Sequence, residues 1–364
     1  MATHYLLSGV GDIVIRHRLF DKNTPLHAAY QRTLEYLRTA AMVWGSCEVQ
    51  FSHRGYRTDA PIAYLVDPAI AEDLGRAGFD VMTVATNHTK DFGADAFLDT
   101  LDHLRGAGIA TVGGGPTIRE AVAPLVRDVG GRRLGILAAS CLLPPDYAAT
   151  DHRPGIAPIR IKQWPEIDPI LLATEPGAPL PMRSSVDPDD LERLCASVRD
   201  LRTEVDILIV SVHWGFGRGN PLAEYQRPLG RALIDAGADL VLGNHPHSPA
   251  GIETYRGRPI LYSLGNHIAQ QDWENATPVQ QQIFSQIDPW SLVCRVVAGD
   301  AGIEEIEFRV TECDAAGLPN LVDEVAVADP VLRRFRALSK AMGTEVAISA
   351  ATAVARFNAR PTAG

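Results

Sequence analysis

Short apolar runs rich in β-branched residues alternate along this chain with segments whose apolar residues recur at helical spacing, the pattern of strands interleaved with helices. YLLSGVGDIVI reads as a first strand and its exit loop, and HAAYQRTLEYLRTAAMV, from His27, as a helix. PAIAEDLGRAG predicts a short helix stopped by Gly78, FDVMTVATNH a buried strand ending in a polar loop, and ADAFLDTLDHLRGAG a helix closed by Gly108. IATVGGG and RRLGILAAS follow as strands. Residues 141–186 break the alternation. They are rich in proline, with Pro144 and Pro145 adjacent and PGAPLP before Met182, and predict a long irregular insertion of the kind that often carries function.

Regularity returns with the helix DPDDLERLCASVRDLR, the strand VDILIVSVHWG, the helix LAEYQRPLGRALIDAG and the strands ADLVLGNHPH and ILYSLGNH. SLVCRVVAGDAGIEEIEFRV predicts a hairpin turning at Gly299, Asp300 and Gly302. Helical stretches over about 328–342 and 344–358 close the chain. The expected organisation is a layered α/β domain with mixed sheets over 1–310, carrying the 141–186 insertion, and a helical extension over 311–364 packed on it.

Composition narrows the class. A hydrophobic fraction of 46% and a charged fraction of 21% suit a globular enzyme. The net charge of -10 and the lack of a basic block argue against a nucleic-acid partner. Five cysteines without a CxxC spacing predict free thiols and a reducing compartment. The first residues hold no apolar run long enough for an export signal or a membrane span, so the expectation is a cytoplasmic protein with no membrane contact.

Candidate chemistry gathers where the strands end, the place where open α/β sheets put their sites. Five such segments carry metal-type residues: Gly11-Asp12, GSCE ending at Glu48, TNHTKD from Thr86 to Asp91, HWG at His213, and GNHPH with His245 and His247. A lone strand-end histidine is usually a hydrogen-bonded loop residue. Five coincident segments point to a site.

The stretches VATNHTKDFGADAFLDTLDHLRGAGIATVGGG, HWG and ALIDAGADLVLGNHPHSPAGIETYRGRPILYSLGN resemble the CapA family of poly-γ-glutamate capsule synthesis proteins, within the calcineurin-like metallophosphoesterase superfamily. The resemblance runs from about residue 5 to 270. It implies the calcineurin-like metallophosphoesterase fold, a two-sheet β-sandwich flanked by helices. It also implies Glu48, Asn87, His213 and His245 as metal ligands, Asp12 and His247 at a second metal position, and His88 as an acid near the leaving group.

Asp91 could orient His88 or cap the following helix. The first strand lacks the superfamily's D-x-H, reading Asp12-Ile13-Val14, and Ser46, Asn244 and His267 depart from the family pattern. One divalent ion is therefore expected rather than two, with Ca or Mn favoured and Zn, Fe or Mg open.

Freed from ligation, Asp12 and His247 would form a second His–Asp couple beside His88 and Asp91. Two such couples suit two-base epimerisation at a Cα. The chain is similar in this respect to the lasso-peptide epimerase branch of the family, which implies a precursor peptide as substrate. A metallophosphoesterase-type hydrolase and a CapA-like role in poly-γ-glutamate biosynthesis are the alternatives. His267, His53 and Arg54 are candidate substrate contacts or plain loop residues. Trp273 and Trp290 flank a stretch that reads as a lid or as wall packing.

Overall fold

The computed structural model describes residues 5–20, 28–217, 221–300 and 302–357. Two large mixed sheets organise them, one of ten strands and one of six. In the larger sheet the strand Leu7–Val14 runs parallel to Val43–Cys47, which continues parallel through Val81–Thr83 to Ala110–Val112. All eight residues of Leu7–Val14 are buried, as in a strand covered on both faces, and they include the polar Ser8 and Asp12. The smaller sheet is centred on Ile207–His213, flanked in parallel by Arg132–Ser140 and Leu240–Asn244. One apolar cluster draws on both sheets, with Leu7, Trp44 and Val81 from the first and Ile136, Ile209 and Leu242 from the second.

The other edge of Leu7–Val14 changes partner midway. Its first half pairs antiparallel with Trp290–Gly299 and its second half parallel with Asn266–Ala269. The pairing shifts at Asp12, where the backbone NH donates to the Gly265 carbonyl at 3.0 Å. Gly11 makes this approach possible, because a Cβ there would stand 1.7 Å from the Gly265 oxygen.

The hairpin expected after Trp290 is present as Trp290–Gly299 and Gly302–Cys313. The final helix runs Val325–Ala341. The second terminal helix expected over about 344–358 is instead a hairpin, Ala347–Ser349 with Thr352–Arg356, that extends the larger sheet. Its alanines favour a helix, and pairing with the sheet edge overrides them: Ala353 and Ala355 are buried while Thr352, Val354 and Arg356 are not. The start of the helix expected from His27 lies outside the described residues, and the helix is seen over Ala28–Leu37.

The 141–186 insertion is not wholly irregular. Ile161–Pro165 pairs with Met182–Val186 as a separate two-stranded arm around a short helix, Pro169–Thr174. Lys90, buried, donates to the carbonyls of Asp146 and Pro154 and so ties the insertion to the loop that carries Asn87 and His88. Among the described residues, no helix is long and apolar enough to cross a membrane.

Gly11→Ala should destabilise the chain by about 3 kcal/mol, because backbone rather than a flexible side chain must yield. Urea unfolding checks this; a midpoint unchanged from wild type would contradict the close approach.

Candidate metal centre

Each strand-end segment delivers its polar residue to one place. Asp12 lies in the first strand and Glu48 directly after Val43–Cys47. His213 ends its strand in register with Asn244, and His245 and His247 follow in the next loop. That loop holds both histidines in the left-handed region, His245 at φ 91° and His247 at φ 51°, an uncommon backbone state for side-chain-bearing residues that is typical of constrained sites. The His245 backbone NH donates to Asp12 Oδ2 at 2.8 Å, which fixes the loop to the first strand.

The polar atoms that converge are mostly acceptors. His213 Nε2 lies 2.7 Å from Asn87 Oδ1 and 3.2 Å from Glu48 Oε1. His247 Nδ1 lies 2.8 Å from Asn266 Oδ1, and its Nε2 lies 3.8 Å from Glu48 Oε2. Among the described residues, both Glu48 oxygens, Asp12 Oδ1 and His245 Nδ1 are buried without a hydrogen bond. Unsatisfied buried carboxylate oxygens are costly, and a cation between them removes the cost.

Two groups of ligand atoms lie within 4.8 Å of one another, Asp12–Glu48–His213 and Glu48–His245–His247. Glu48 belongs to both. The residues therefore fit divalent metal, and the geometry offers two positions sharing Glu48 where the sequence suggested one.

Electrostatics match this reading. Burial pushes the Asp12 carboxyl up to about 6, with the Glu48 charge adding to the rise. Burial acts the same way on Glu48, yet the facing His247 and His213 imidazoles outweigh it and hold this carboxyl well below the usual range. His245 is driven well below the ordinary imidazole value by burial and by His213 and His247, which favours the neutral ring that a metal ligand requires.

Beside the cluster stands His88, whose Nδ1 is 2.8 Å from Asp91 Oδ2. Asp91 is buried and also accepts the Tyr64 backbone NH at 2.9 Å and the Tyr147 hydroxyl at 3.0 Å. It serves as the His88 orienter rather than as a helix cap. Burial alone would lower the His88 pKa, but Asp91 overcomes it and the pKa is raised. The couple opens on a cavity of about 450 Å³ that Glu48, Asn87, His245 and His247 also line. The helix Pro278–Phe284 borders it, and Gln280 Nε2 donates to the Pro61 carbonyl at 3.0 Å.

Residues 6–271, which hold every residue of this cluster, match the family model described as bacterial capsule synthesis protein PGA_cap. The chain belongs to the bacterial capsule synthesis protein family. It is 28% identical to the PGA biosynthesis protein CapA of Bacillus subtilis over 272 residues, 73% of this chain and 63% of that protein. It is 25% identical to the capsule biosynthesis protein CapA of Bacillus anthracis, over 67% of this chain and 54% of that one. It is 34% identical to a probable polyglutamine synthesis accessory protein of Mycobacterium tuberculosis, over 57% of this chain and 49% of that one. The aligned stretches thus span about half to two thirds of these relatives' lengths. A crystal structure of a hypothetical protein from Thermus thermophilus covers 87% of this chain and 97% of its own at 16% identity, with a TM-score of 0.41, too low to carry an argument.

In this capsule synthesis family member, several expected contacts lie elsewhere. His267 is fully buried between Tyr30 and Phe79, at ring separations of 6.3 and 5.9 Å, and does not line the cavity. It follows Asn266 on a strand, and strand alternation turns it to the opposite face. Arg54 is exposed and paired with Asp99, and His53 is exposed; neither lines the cavity. Trp273 packs edge-on against Phe284, as wall packing. The proposed Asp12–His247 couple is loose at 3.5 Å, since Asn266 takes His247 Nδ1 more closely. Asn266, within SLGN, is a site residue that the motif alone did not single out. Tyr64 and Tyr147 come from irregular segments without a motif.

Burial depresses the His267 pKa from 6.5 to about 3, so the folded state holds a neutral ring that the unfolded chain protonates below about 6.5. Its contribution is complete above about 6.5 and is lost as pH falls towards about 3, amounting to about 2 kcal/mol at pH 5. Chemical unfolding at pH 7 and pH 5 should show a smaller acid loss in His267→Phe than in wild type; equal losses would contradict the buried neutral ring.

Proposed function

We propose that this chain is a metal-dependent acid–base enzyme of hydrolase type, built on a two-sheet sandwich of the metallophosphoesterase kind, acting on a phosphoryl or acyl centre in the cavity above Glu48. The observation that carries this reading is the His88–Asp91 couple opening on the same cavity as the buried Glu48 carboxylate and its facing imidazoles. The shared apolar cluster of the two sheets supports the architecture. The relatives, named for capsule, PGA and polyglutamine synthesis, support a peptide or similar amide-linked chain as the substrate class.

Asp12, Glu48 and His213 would hold one divalent ion and Glu48, His245 and His247 a second, with Asn87 Oδ1 beside His213. The mixed nitrogen and oxygen donors suit Mn, Fe or Zn. Bound metal supplies charge stabilisation at the reacting centre and lowers the pKa of water there. The chain's own part is proton transfer. Asp91 holds the His88 ring through Nδ1 and keeps it protonated to higher pH, leaving Nε2 to deliver a proton to the leaving atom. Tyr64 and Tyr147 hold Asp91 in turn.

Cα inversion of a peptide residue is the second reading. It needs two proton-transfer groups, and the observation in its favour is that His247 also lines the cavity with Asp12 Oδ2 3.5 Å from its Nδ1. The approach of His247 Nε2 to Glu48 favours ligation instead and leaves one couple, which hydrolysis requires and inversion does not satisfy.

The test is a panel of an aryl phosphodiester, an aryl phosphomonoester and γ-glutamyl anilide with the Mn²⁺-loaded chain, beside a set of lasso-type precursor peptides in D₂O. Hydrolase chemistry gives turnover that EDTA abolishes and that His88→Ala lowers about 100-fold, with Asp91→Asn intermediate. Deuterium entering one Cα without cleavage would replace hydrolysis by inversion. Silence across both arms would remove the enzymatic proposal.

A further inference from the structure

The walls of the cavity differ sharply from its floor. The floor is polar, made by Glu48, Asn87, His88, His245 and His247. The walls are mostly apolar or aromatic, with Ile62, Tyr64, Pro144, Tyr147, Ile283 and Ile287, and Gln271 and Gln286 are the neutral polar residues among them. Among the described lining residues none is lysine or arginine; Arg218, next to the lining Gly217 in sequence, lies outside them.

Three segments build these walls: the loop before Leu65, the start of the 141–186 insertion, and the region at and after the helix Pro278–Phe284. The last lies beyond residue 271, where the family match ends. Ile283 and Ile287 are one helical turn apart in sequence, and both are half-buried at the cavity rim. Ile283 and Ile287 thus lie outside the matched stretch, while Ile62, Tyr64, Pro144 and Tyr147 lie inside it.

From this contrast we infer that the cavity seats an apolar group, one large aliphatic or aromatic side chain or its equivalent, next to the reacting centre. A run of glutamate carboxylates is not its ligand. The volume, about 450 Å³, suits a small ligand or the end of a longer one and not an extended polymer. One carboxylate could face the floor, but a run of them would lie against the apolar walls, where no lysine or arginine stands among the described lining residues and their lost hydration would go uncompensated. An apolar side chain would gain by leaving water.

The inference deepens the reading of this cavity as the substrate site and rests on it. It does not depend on which reaction follows.

Calorimetric titration of the full chain, with and without Mn²⁺, tests it using the tripeptides Gly-Gly-Phe, Gly-Gly-Leu and Gly-Gly-Glu and a γ-linked glutamate trimer. The Phe and Leu peptides should bind about tenfold or more tightly than either glutamate ligand. In Ile283→Gln/Ile287→Gln the preference should shrink to about twofold; both positions are half-buried, and a circular dichroism spectrum confirms that the variant is folded. Equal or tighter binding of the glutamate ligands, binding of none of the four, or an apolar preference untouched by the double substitution would overturn the inference. Tight Phe binding without turnover or Cα exchange would instead sink the enzymatic reading and leave this one standing.

Discussion

Asp12 and Glu48 place two buried carboxylates a few ångströms from three imidazoles, and of their oxygens Asp12 Oδ2 alone accepts a backbone hydrogen bond among the described residues, from His245. Everything else in the molecule is arranged around that constraint. Parallel strands bring their C-terminal ends to one edge, so residues distant in sequence arrive together with few degrees of freedom left. The partner change along Leu7–Val14 occurs at Asp12, and the left-handed backbone of His245 and His247 is pinned by an Asp12 hydrogen bond. Such strain and desolvation persist only where something offsets them. A shared cation at Glu48 is the offset that the donor set fits.

The His88–Asp91 couple is separate from that centre but fastened to it. Asn87 and His88 are neighbours in one loop, so the amide that faces His213 also sets the position of the His88 ring. Asp91 gathers three donors from three segments: His88, the Tyr64 backbone and the Tyr147 hydroxyl. Tyr147 belongs to the insertion, which Lys90 holds from the opposite direction. A loop outside the sheets thereby becomes part of the site's scaffold, and the cavity acquires its apolar walls from the same excursions.

Much of this was legible in the sequence because the signals were local. Asp12, Glu48, Asn87, His213, His245 and His247 each lie at or near the end of a recognisable strand, and strand ends of an α/β sheet converge by topology alone. The spacing of His88 and Asp91 left a choice between their pairing and a helix cap, and the hydrogen bond between them decides it. What stayed hidden depended on long-range contacts. Asn266 competes with Asp12 for His247 only because Asn266–Ala269 pairs with the first strand, which no local pattern reveals. His267 looked chemical because it followed SLGN, yet it faces the aromatic side of its strand. The terminal hairpin, with its short alanine-rich strands, finds its state only by adding to the sheet edge at Gly302–Cys313.

The most direct measurement is the thermal unfolding of the metal-free chain with and without saturating Mn²⁺, wild type beside Glu48→Gln. Cation held between the buried carboxylates stabilises the native state by mass action, which amounts to a rise of a few degrees in wild type. The same addition should leave Glu48→Gln nearly unmoved, since both ligand groups contain Glu48. No rise in wild type, or an equal rise in the variant, would show that these carboxylates are not a cation site.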